Sequence, residues 1–222
     1  MSKIQRNHSA EIVSFAFLAF IMMLIFHYLK IDDKLASLFF DKNLKWVYRD
    51  HFIFENLLHK GGVWLTILIF LGIIFKVLQY RRVKISFHYY LLVLLSSSTV
   101  VVIVAFLKKF TTFPCPWHTD IFGGEQKILG FSELFSSQLP NGHCFPAGHS
   151  SGGFCFLSFY IITYLLTGKR DFFKLTLGLT LGLTFGSTQQ IRGAHFLSHD
   201  MATLAISIFI PWLTTLLYSR YN

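Results

Sequence analysis

Three polar stretches of the chain together supply cationic side chains and histidines. The first lies at Lys108, and the second is the segment 145–151 around His149. The third is the segment 191–200, which contains Arg192, His195, His199 and Asp200. Lys and Arg supply donors that suit phosphate oxygens, with Arg offering a planar fork, and histidine gains or loses a proton near neutral pH. This combination predicts chemistry on a phosphate group.

The segment FPAGHSS, 145–151, has the features of a helix start. Pro suits the first turn of a helix, and the free backbone amides at such a start bind phosphate. We therefore expect Gly148, Ser150 and Ser151 to help bind phosphate, with His149 beside them. The same letters fit the G-x-S-x-G nucleophile elbow, so a serine hydrolase using Ser150 or Ser151 is an alternative, although nothing upstream predicts the strand that this elbow needs.

The segment 191–200 places His195 and His199 four residues apart, a spacing that puts both on one face of a helix. Such a pair could ligate a metal ion, or one histidine could be a nucleophile that its partner orients. No acid-rich cluster completes a metal shell, and the charges of Arg192 and Lys108 would repel a cation. The residues therefore predict a nucleophilic histidine, with no metal and no other cofactor.

The composition indicates that membrane helices carry these residues. Of the 222 residues, 53% are hydrophobic and only 14% are charged, whereas soluble chains average about 25% charged residues. The apolar residues form six runs of near-spanning length: 10–29, 61–80, 88–107, 150–166, 172–190 and 201–218. Because an unpaired backbone cannot cross hydrocarbon, each run should be a helix. We predict an all-α, polytopic protein with six transmembrane helices in a single domain, 1–222.

The loops predict the orientation of these helices. Half of the 20 Lys and Arg residues lie in the termini and in two short linkers, 76–84 and 169–174. Basic short loops favour the cytoplasmic side, so both termini are expected there, and the net charge of +9 is mainly an orientation signal. The long outer loop 30–60 mixes aromatic, aliphatic and charged residues, which predicts an interfacial amphipathic segment.

The predicted crossings bring the three polar segments to the same outer face. Lys108 follows the third helix, His149 opens the fourth, and 191–200 joins the fifth and sixth. Charged groups against a membrane bundle are costly and are functional by default. We therefore expect these distant segments to meet in one site.

The polar segments resemble the motifs of the type-2 phosphatidic acid phosphatase superfamily in its six-helix membrane form. That pattern is Lys, six residues, Arg-Pro; then Pro-Ser-Gly-His; then Ser-Arg, five residues, His, three residues, Asp. The corresponding blocks here are Lys108 with Cys115-Pro116, Pro146-Ala147-Gly148-His149, and His195 with His199. Their order and their placement between the helices agree over residues 60–217.

The chain departs from that pattern at several positions. Cys115 and Gln189 stand at Arg positions, Ala147 stands at a Ser position, and His199 stands at the Asp position. Arg192, one helical turn after Gln189, could still reach the same phosphate, and either His199 or Asp200 could orient the nucleophile. The departures look like those of a divergent subgroup, and they bear on the substrate more than on the reaction type.

The resemblance implies a reaction through a phosphohistidine. His195 would attack phosphorus, His149 would protonate the leaving oxygen, and water would then release phosphate. Lys108 and Arg192, with the amides at the start of the fourth helix, would hold the phosphate oxygens where charge spreads.

Two of the three cysteines, Cys115 and Cys144, lie in the outer loop beside the first two motif blocks. In an oxidising compartment they could form a disulfide that ties the Lys108 segment to the start of the fourth helix. Free thiols at both positions are the alternative.

These features predict a metal-independent phosphatase of the bacterial inner membrane, with its site on the periplasmic face. The resemblance implies as substrate an isoprenyl phosphate or diphosphate, a glycerolipid phosphate or a lipid A phosphate, and we favour the envelope lipids, lipid A or the isoprenyl carrier. The expected partners are this lipid and the bilayer, with no nucleic acid. A lipid-to-lipid phosphotransferase, an intramembrane serine hydrolase and a non-enzymatic transporter of anionic lipid are the alternatives.

Overall fold

The protein is an assembly of α-helices in a computed structural model that describes residues 3–139 and 142–221. Eight α-helices are present in this part of the chain. They are α1 (Lys3–Tyr28), α2 (Ile31–Ser37), α3 (Gly61–Gln79), α4 (Lys84–Lys108), α5 (Gly148–Phe154), α6 (Leu157–Thr167), α7 (Phe172–Ile191) and α8 (Leu197–Tyr221). The all-α prediction is confirmed, since the strands are one hairpin of two residues each, β1 (Phe40–Asp41) and β2 (Lys45–Trp46).

Four helices are long and apolar enough to cross a membrane: α1, α4, α8 and the continuous helix 53–79, which includes α3. The pair α5 and α6 would be a fifth span if its two parts cross together, and a 40° bend separates them. The sequence predicted one unbroken helix over 150–166, and the break at residues 155–156 corrects that prediction. Helix α7 is not among these spans, because Gly, Thr and Gln interrupt its leucines and phenylalanines. A polytopic membrane protein is established, and the count of six spans is not.

The loop between α1 and α3 is more structured than an amphipathic segment alone. It contains α2, the hairpin and a π-helical segment, Ile53–Lys60, that runs directly into α3. Large apolar side chains such as Leu38, Leu44 and Phe52 are about 70% exposed along it, as expected for a segment that meets a membrane surface. π-Helical turns are rare and occur mostly at functional sites.

Helices α5 and α7 are in close backbone contact, which fixes the start of α5 relative to the end of α7. A Cβ atom added to Gly153 would lie 2.3 Å from the backbone nitrogen of Gly182, and a Cβ atom on Gly182 would lie 2.0 Å from the Phe154 ring. Only glycine permits this approach. The apolar core on the other side of this contact includes buried residues of α3, α4, α6 and α8 with the α5–α6 junction: Ile73, Val93, Val100, Phe156, Ile162 and Ile210.

The outer loops are tied to the start of α8. Asp32 of α2 is buried, and its Oδ1 accepts a hydrogen bond from the Ser198 backbone N–H at 2.9 Å. In the long loop between α4 and α5, a disulfide joins Cys115 to Cys144, the pair that the sequence singled out. Cys155 is buried at the end of α5 with a free thiol.

Candidate active site

His195 lies in the short turn between α7 and α8. The chain reverses at Gly193, which has a φ of 75° and on which a Cβ atom would overlap the Trp46 ring, at 2.2 Å. Glycine alone accommodates both the left-handed backbone and the close indole. The turn leaves His195 buried, with 3% of its surface exposed. Since α8 begins only at Leu197, His195 and His199 do not share a helical face, which corrects the expectation from their spacing.

His149 and Lys108 come from two other elements and lie close to His195. His149 is the second residue of α5, and its ring centroid is 6.3 Å from that of His195. Lys108 ends α4, and its Nζ lies 3.5 Å from where a Cβ atom on Gly148 would be. The ammonium group therefore faces the first residue of α5, where free backbone amides favour an anion.

Arg192 is buried beside this cluster, and much of its guanidinium is already occupied. Nε donates to the Arg49 carbonyl oxygen at 2.8 Å, Nη1 donates to Oε1 of Gln189 at 3.1 Å, and Nη2 forms an ion pair with Glu55. The guanidinium has five N–H donors, so the described contacts leave two for a ligand. Gln189, at the motif's Arg position, thus holds the Arg that lies one turn later.

His199 and Asp200 differ in how they relate to His195. The His199 ring centroid is 6.0 Å from that of His195, and the ring is packed among Phe145, Phe196 and Phe113. The Asp200 carboxylate lies elsewhere: its Oδ2 accepts a hydrogen bond from Nε2 of Gln190 at 2.6 Å, and the group packs against Gly186. In this structure Asp200 joins α7 to α8, and its carboxylate makes no described contact with His195.

The disulfide lies against the candidate nucleophile. Sγ of Cys144 is 3.5 Å from Nδ1 of His195 and 2.9 Å from the Ala194 carbonyl oxygen. A disulfide sulfur carries no hydrogen to donate, so these are packing contacts. The bond therefore fixes the loop that supports the His195 ring.

The two serines of α5 donate to backbone carbonyl oxygens at the start of their helix, and the Ser150 hydroxyl also contacts the Asp200 side chain. Ser150 Oγ donates to the Ala147 carbonyl oxygen at 3.2 Å, and Ser151 Oγ donates to the Gly148 carbonyl oxygen at 2.5 Å. Among the described hydrogen bonds, neither hydroxyl pairs with a histidine ring. A serine nucleophile needs such a base, so this geometry does not support the elbow interpretation.

Two site residues, Glu55 and His59, were missed in the sequence. Both belong to the π-helical segment, and Oε2 of Glu55 is 3.0 Å from Nδ1 of His59. The His59 ring centroid lies 4.2 Å from that of His149, edge to face. The acid–histidine spacing of four residues at the outer end of the second apolar run was the available signal, but the family motifs contain no residue from this segment.

A cavity of about 250 Å³ opens beside these groups between α3, α4, α5 and α7. Its polar wall includes His59, Lys108, Gly148, His149, Ser151 and Gln189, and its apolar wall includes Val63, Ile67, Val101 and Phe185. The first set suits an anionic group and the second a hydrocarbon chain. His195 is not part of this wall, and its ring centroid lies 6.3 Å from that of His149, which is.

The site is strongly cationic, and this affects His195. Burial, with the nearby Lys108 ammonium and the rings of His199 and His149, lowers the pKa of His195 well below its usual value of 6.5, and a hydrogen bond involving the Cys144 backbone acts weakly in the opposite direction. The imidazole is therefore neutral at neutral pH, and a neutral ring has the lone pair that a nucleophile needs.

The described residues bring one set of possible metal ligands together. Sγ of Cys144 and ring nitrogens of His195 and His199 lie within 4.8 Å of one another. The sulfur belongs to the disulfide, and a metal-binding cysteine must be a free thiolate. The set therefore does not fit a metal ion while this bond is intact.

The comparison with known families identifies the chain. The sequence profile of the PAP2 superfamily matches residues 86–222, more than half of the protein. The chain belongs to the PAP2 superfamily. No curated protein and no solved structure is significantly similar to it. The matched region contains Lys108, His149 and His195, whereas Glu55 and His59 precede it.

Membership in the PAP2 superfamily indicates a membrane phosphatase that acts on lipid phosphates. The apolar helices are those of a multi-pass membrane protein. The resemblance seen in the sequence is thereby confirmed at the level of the family.

Proposed function

We propose that this protein removes phosphate from a lipid-linked substrate of the bacterial cell envelope, on the periplasmic face of the inner membrane. The observation that carries the proposal is the convergence of His149 and His195, 6.3 Å apart, with Lys108 at the start of α5. The groups come from α4, α5 and the α7–α8 turn. A purely structural role would not require two histidines and an ammonium group to meet from three separate elements.

The reaction begins with attack by a neutral His195 nitrogen on phosphorus, which forms an N–P bond as the P–O bond to the lipid breaks. His149, whose protonated form the bound phosphate dianion favours, gives its proton to the leaving lipid oxygen. Lys108, the α5 amides and the remaining donors of Arg192 stabilise the charge on the phosphoryl oxygens. His149 then takes a proton from water, which attacks phosphorus, and inorganic phosphate leaves as His195 is restored.

We assign the role of orienting the His195 ring to His199 and to the part of the loop that contains Cys144. His199 follows on the first turn of α8 and lies 6.0 Å from His195, between centroids. Asp200 acts one step further away, by joining α8 to α7 through Gln190.

We propose lipid A or an isoprenyl phosphate or diphosphate as substrate. The cavity supports a substrate with an apolar chain, because Val63, Ile67 and Val101 line the side away from the cationic groups. A lipid-to-lipid phosphotransferase is the second candidate, since a phosphohistidine can react with a lipid phosphate as well as with water. No metal or cofactor is part of the proposed reaction.

Phosphate release by the purified protein tests the proposal. The panel contains isoprenyl, glycerolipid and lipid A phosphates, each with a chelator present and with or without an unlabelled acceptor lipid. We expect release that His195→Ala and His149→Ala reduce by about 10²-fold or more, the scale of acid–base and nucleophilic catalysis. Transfer of label to the acceptor would favour the phosphotransferase.

His88→Gln is the matched control, because His88 lies on α4 about 30 Å from Lys108, at 1.5 Å per residue. It should keep full activity. Labelling quenched in alkaline SDS should also trap a phosphoenzyme that His195→Ala lacks, because the N–P bond of a phosphohistidine is stable to base and labile to acid. Absence of release from every lipid, or unchanged activity in His195→Ala, would reject the proposed function.

A further inference from the structure

His59 is a site residue to which neither the motifs nor the reaction above gives a role. It lines the same cavity as Lys108, Gly148 and His149, and its ring meets the His149 ring edge to face, 4.2 Å between centroids. The side chain is about one quarter exposed, so a ligand in the cavity can reach it. This position allows the His59 ring to contact a phosphate group in the cavity, which a buried packing residue could not do.

Glu55 fixes the orientation of the His59 ring. Its Oε2 is 3.0 Å from Nδ1 of His59, one helical turn away. With Nδ1 directed to the carboxylate, Nε2 is the nitrogen left for a ligand. An imidazole that donates from Nδ1 to the carboxylate and from Nε2 to a phosphate oxygen uses both ring nitrogens as donors.

Other charged groups face this pair from several elements. Lys60 Nζ is 3.1 Å from Oε1 of Glu55, and Arg192 forms an ion pair with the same carboxylate. Lys108 and His149 approach from α4 and α5. Glu55 thus contacts two cationic side chains, Lys60 and Arg192, as well as the His59 ring.

The phosphate-binding set of this chain has a gap that His59 can fill. Cys115, at a motif position for Arg, is bonded to Cys144 and offers no donor. Gln189, at the other Arg position, is engaged with Arg192, which keeps only part of its guanidinium for a ligand. Lys108 is otherwise the cation that lines the cavity with free donors among the described contacts.

We propose that His59 is a phosphate-binding residue, whose Nε2 donates to a non-bridging oxygen of the substrate's phosphate, and that Glu55 positions it. The inference rests on the proposed phosphatase function. It assigns to the π-helical segment a role in the site that the family motifs leave to arginine.

The test compares His59→Phe, which keeps an aromatic ring but has no donor, with His59→Gln, whose amide can donate near the Nε2 position. We expect His59→Phe to raise KM, and the Kd for inorganic phosphate and vanadate, by about 10-fold or more, as for loss of a charge-assisted hydrogen bond. kcat should change less. His59→Gln should recover part of the affinity, and His88→Gln should behave as wild type.

Glu55→Gln tests the positioning role. Alone it should weaken phosphate binding, and in the His59→Phe background it should weaken binding by a smaller factor, because the ring that it orients is already missing. Equal factors in both backgrounds would reject a positioning role through His59 and leave Glu55 acting only on Arg192.

The outcomes separate this inference from the function on which it rests. Wild-type affinity for inorganic phosphate in both His59 variants, measured calorimetrically in detergent, overturns the role of His59 even if lipid phosphate is hydrolysed. If wild type binds inorganic phosphate in a His59-dependent manner but hydrolyses no lipid, the inference stands and the proposed reaction fails. If wild type binds no phosphate, both fail. Thermal unfolding of each variant excludes a folding defect as the cause.

Discussion

At the scale of single residues, the chemistry of this protein depends on histidines placed among cations. Burial, together with Lys108 and the neighbouring rings, lowers the pKa of His195, which keeps the candidate nucleophile neutral. Glu55 is the acidic side chain that contacts Arg192, His59 and Lys60. A site built in this way attracts a phosphate dianion, and the Glu55 carboxylate orients several of its donors.

The lowered pKa of His195 predicts an unusual pH dependence. A protonated imidazole cannot attack phosphorus, so activity is lost as the pH falls through the pKa of His195. Because that pKa lies well below 6.5 in the free protein, we expect kcat/KM, corrected for ionisation of the substrate's phosphate, to show no loss through His195 as the pH falls past 6.5. Measurement of kcat/KM across pH, which reports groups in the free enzyme, tests this. An acid limb at or above pH 6.5 would show that His195 is not the neutral nucleophile proposed.

At the scale of elements, the site depends on how closely helices approach. The contact of α5 with α7 at Gly153 and Gly182 sets the distance between His149 and the turn that carries His195. The Cys115–Cys144 disulfide fixes the outer loop against the same turn. Neither feature lines the cavity, yet both determine where the reacting groups lie.

The contact between α5 and α7 predicts that Gly153→Ala lowers both the stability and the turnover of the protein. Its Cβ would lie 2.3 Å from the Gly182 backbone nitrogen, which cannot move aside as a flexible side chain would. Overpacking of this kind costs about 1–3 kcal/mol, and displacement of α5 should also reduce turnover. Thermal unfolding in detergent and phosphate release measure the two effects.

Gly72→Ala is the matched control, because a Cβ atom there meets nothing within 4 Å on α3. Alanine is the better helix former, so this variant should be as stable as wild type or slightly more stable. Similar behaviour of the two variants would contradict the proposed close contact.

The disulfide predicts a second effect at this scale. Replacing Cys115 and Cys144 together by serine should lower stability by about 2–4 kcal/mol, the usual range for a native bond. It should also lower turnover, because Cys144 packs against His195. Reductant should affect wild type and leave the double variant unchanged, whereas Cys155→Ala should keep the reductant sensitivity, since Cys155 is a free thiol. A reductant-insensitive wild type would show that the bond has no such role.

At the scale of the whole molecule, a small number of polar side chains indicates which end of the helix bundle carries the candidate active site. The basic linkers 76–84 and 169–174 lie at one end of the helices, and Lys108, His149 and His195 lie at the other. The charge asymmetry therefore predicts that the site faces the periplasm.

Cysteines placed at Leu44 and Arg81 test this orientation. Leu44 is 72% exposed in the outer hairpin, and Arg81 is exposed in the linker between α3 and α4. In intact spheroplasts a membrane-impermeant maleimide should label Leu44→Cys, and it should label Arg81→Cys only after permeabilisation. The native disulfide and the buried Cys155 should give little background. The reverse pattern would place the site on the cytoplasmic side.

The sequence by itself determined the membrane environment and the family, and it predicted the main reactive residues. Long apolar runs must be helical in lipid, however they pack. The motif blocks around Lys108, His149 and His195 are local patterns that can be recognised in the sequence alone. The place of Cys115 and Cys144 in one loop made a disulfide one of two possibilities, and the structure shows the bond.

Only the tertiary structure decided which groups meet. Helix periodicity suggested that His195 and His199 share a face, but the turn at Gly193, covered by Trp46, ends the helix before His195. Spacing left Asp200 as a possible partner of His195, and packing directed it to Gln190 instead. Glu55 and His59 join the site from a segment 50 residues before Lys108. Such contacts depend on the mutual positions of helices, which sequence periodicity does not specify, because it describes each helix relative to its own axis alone.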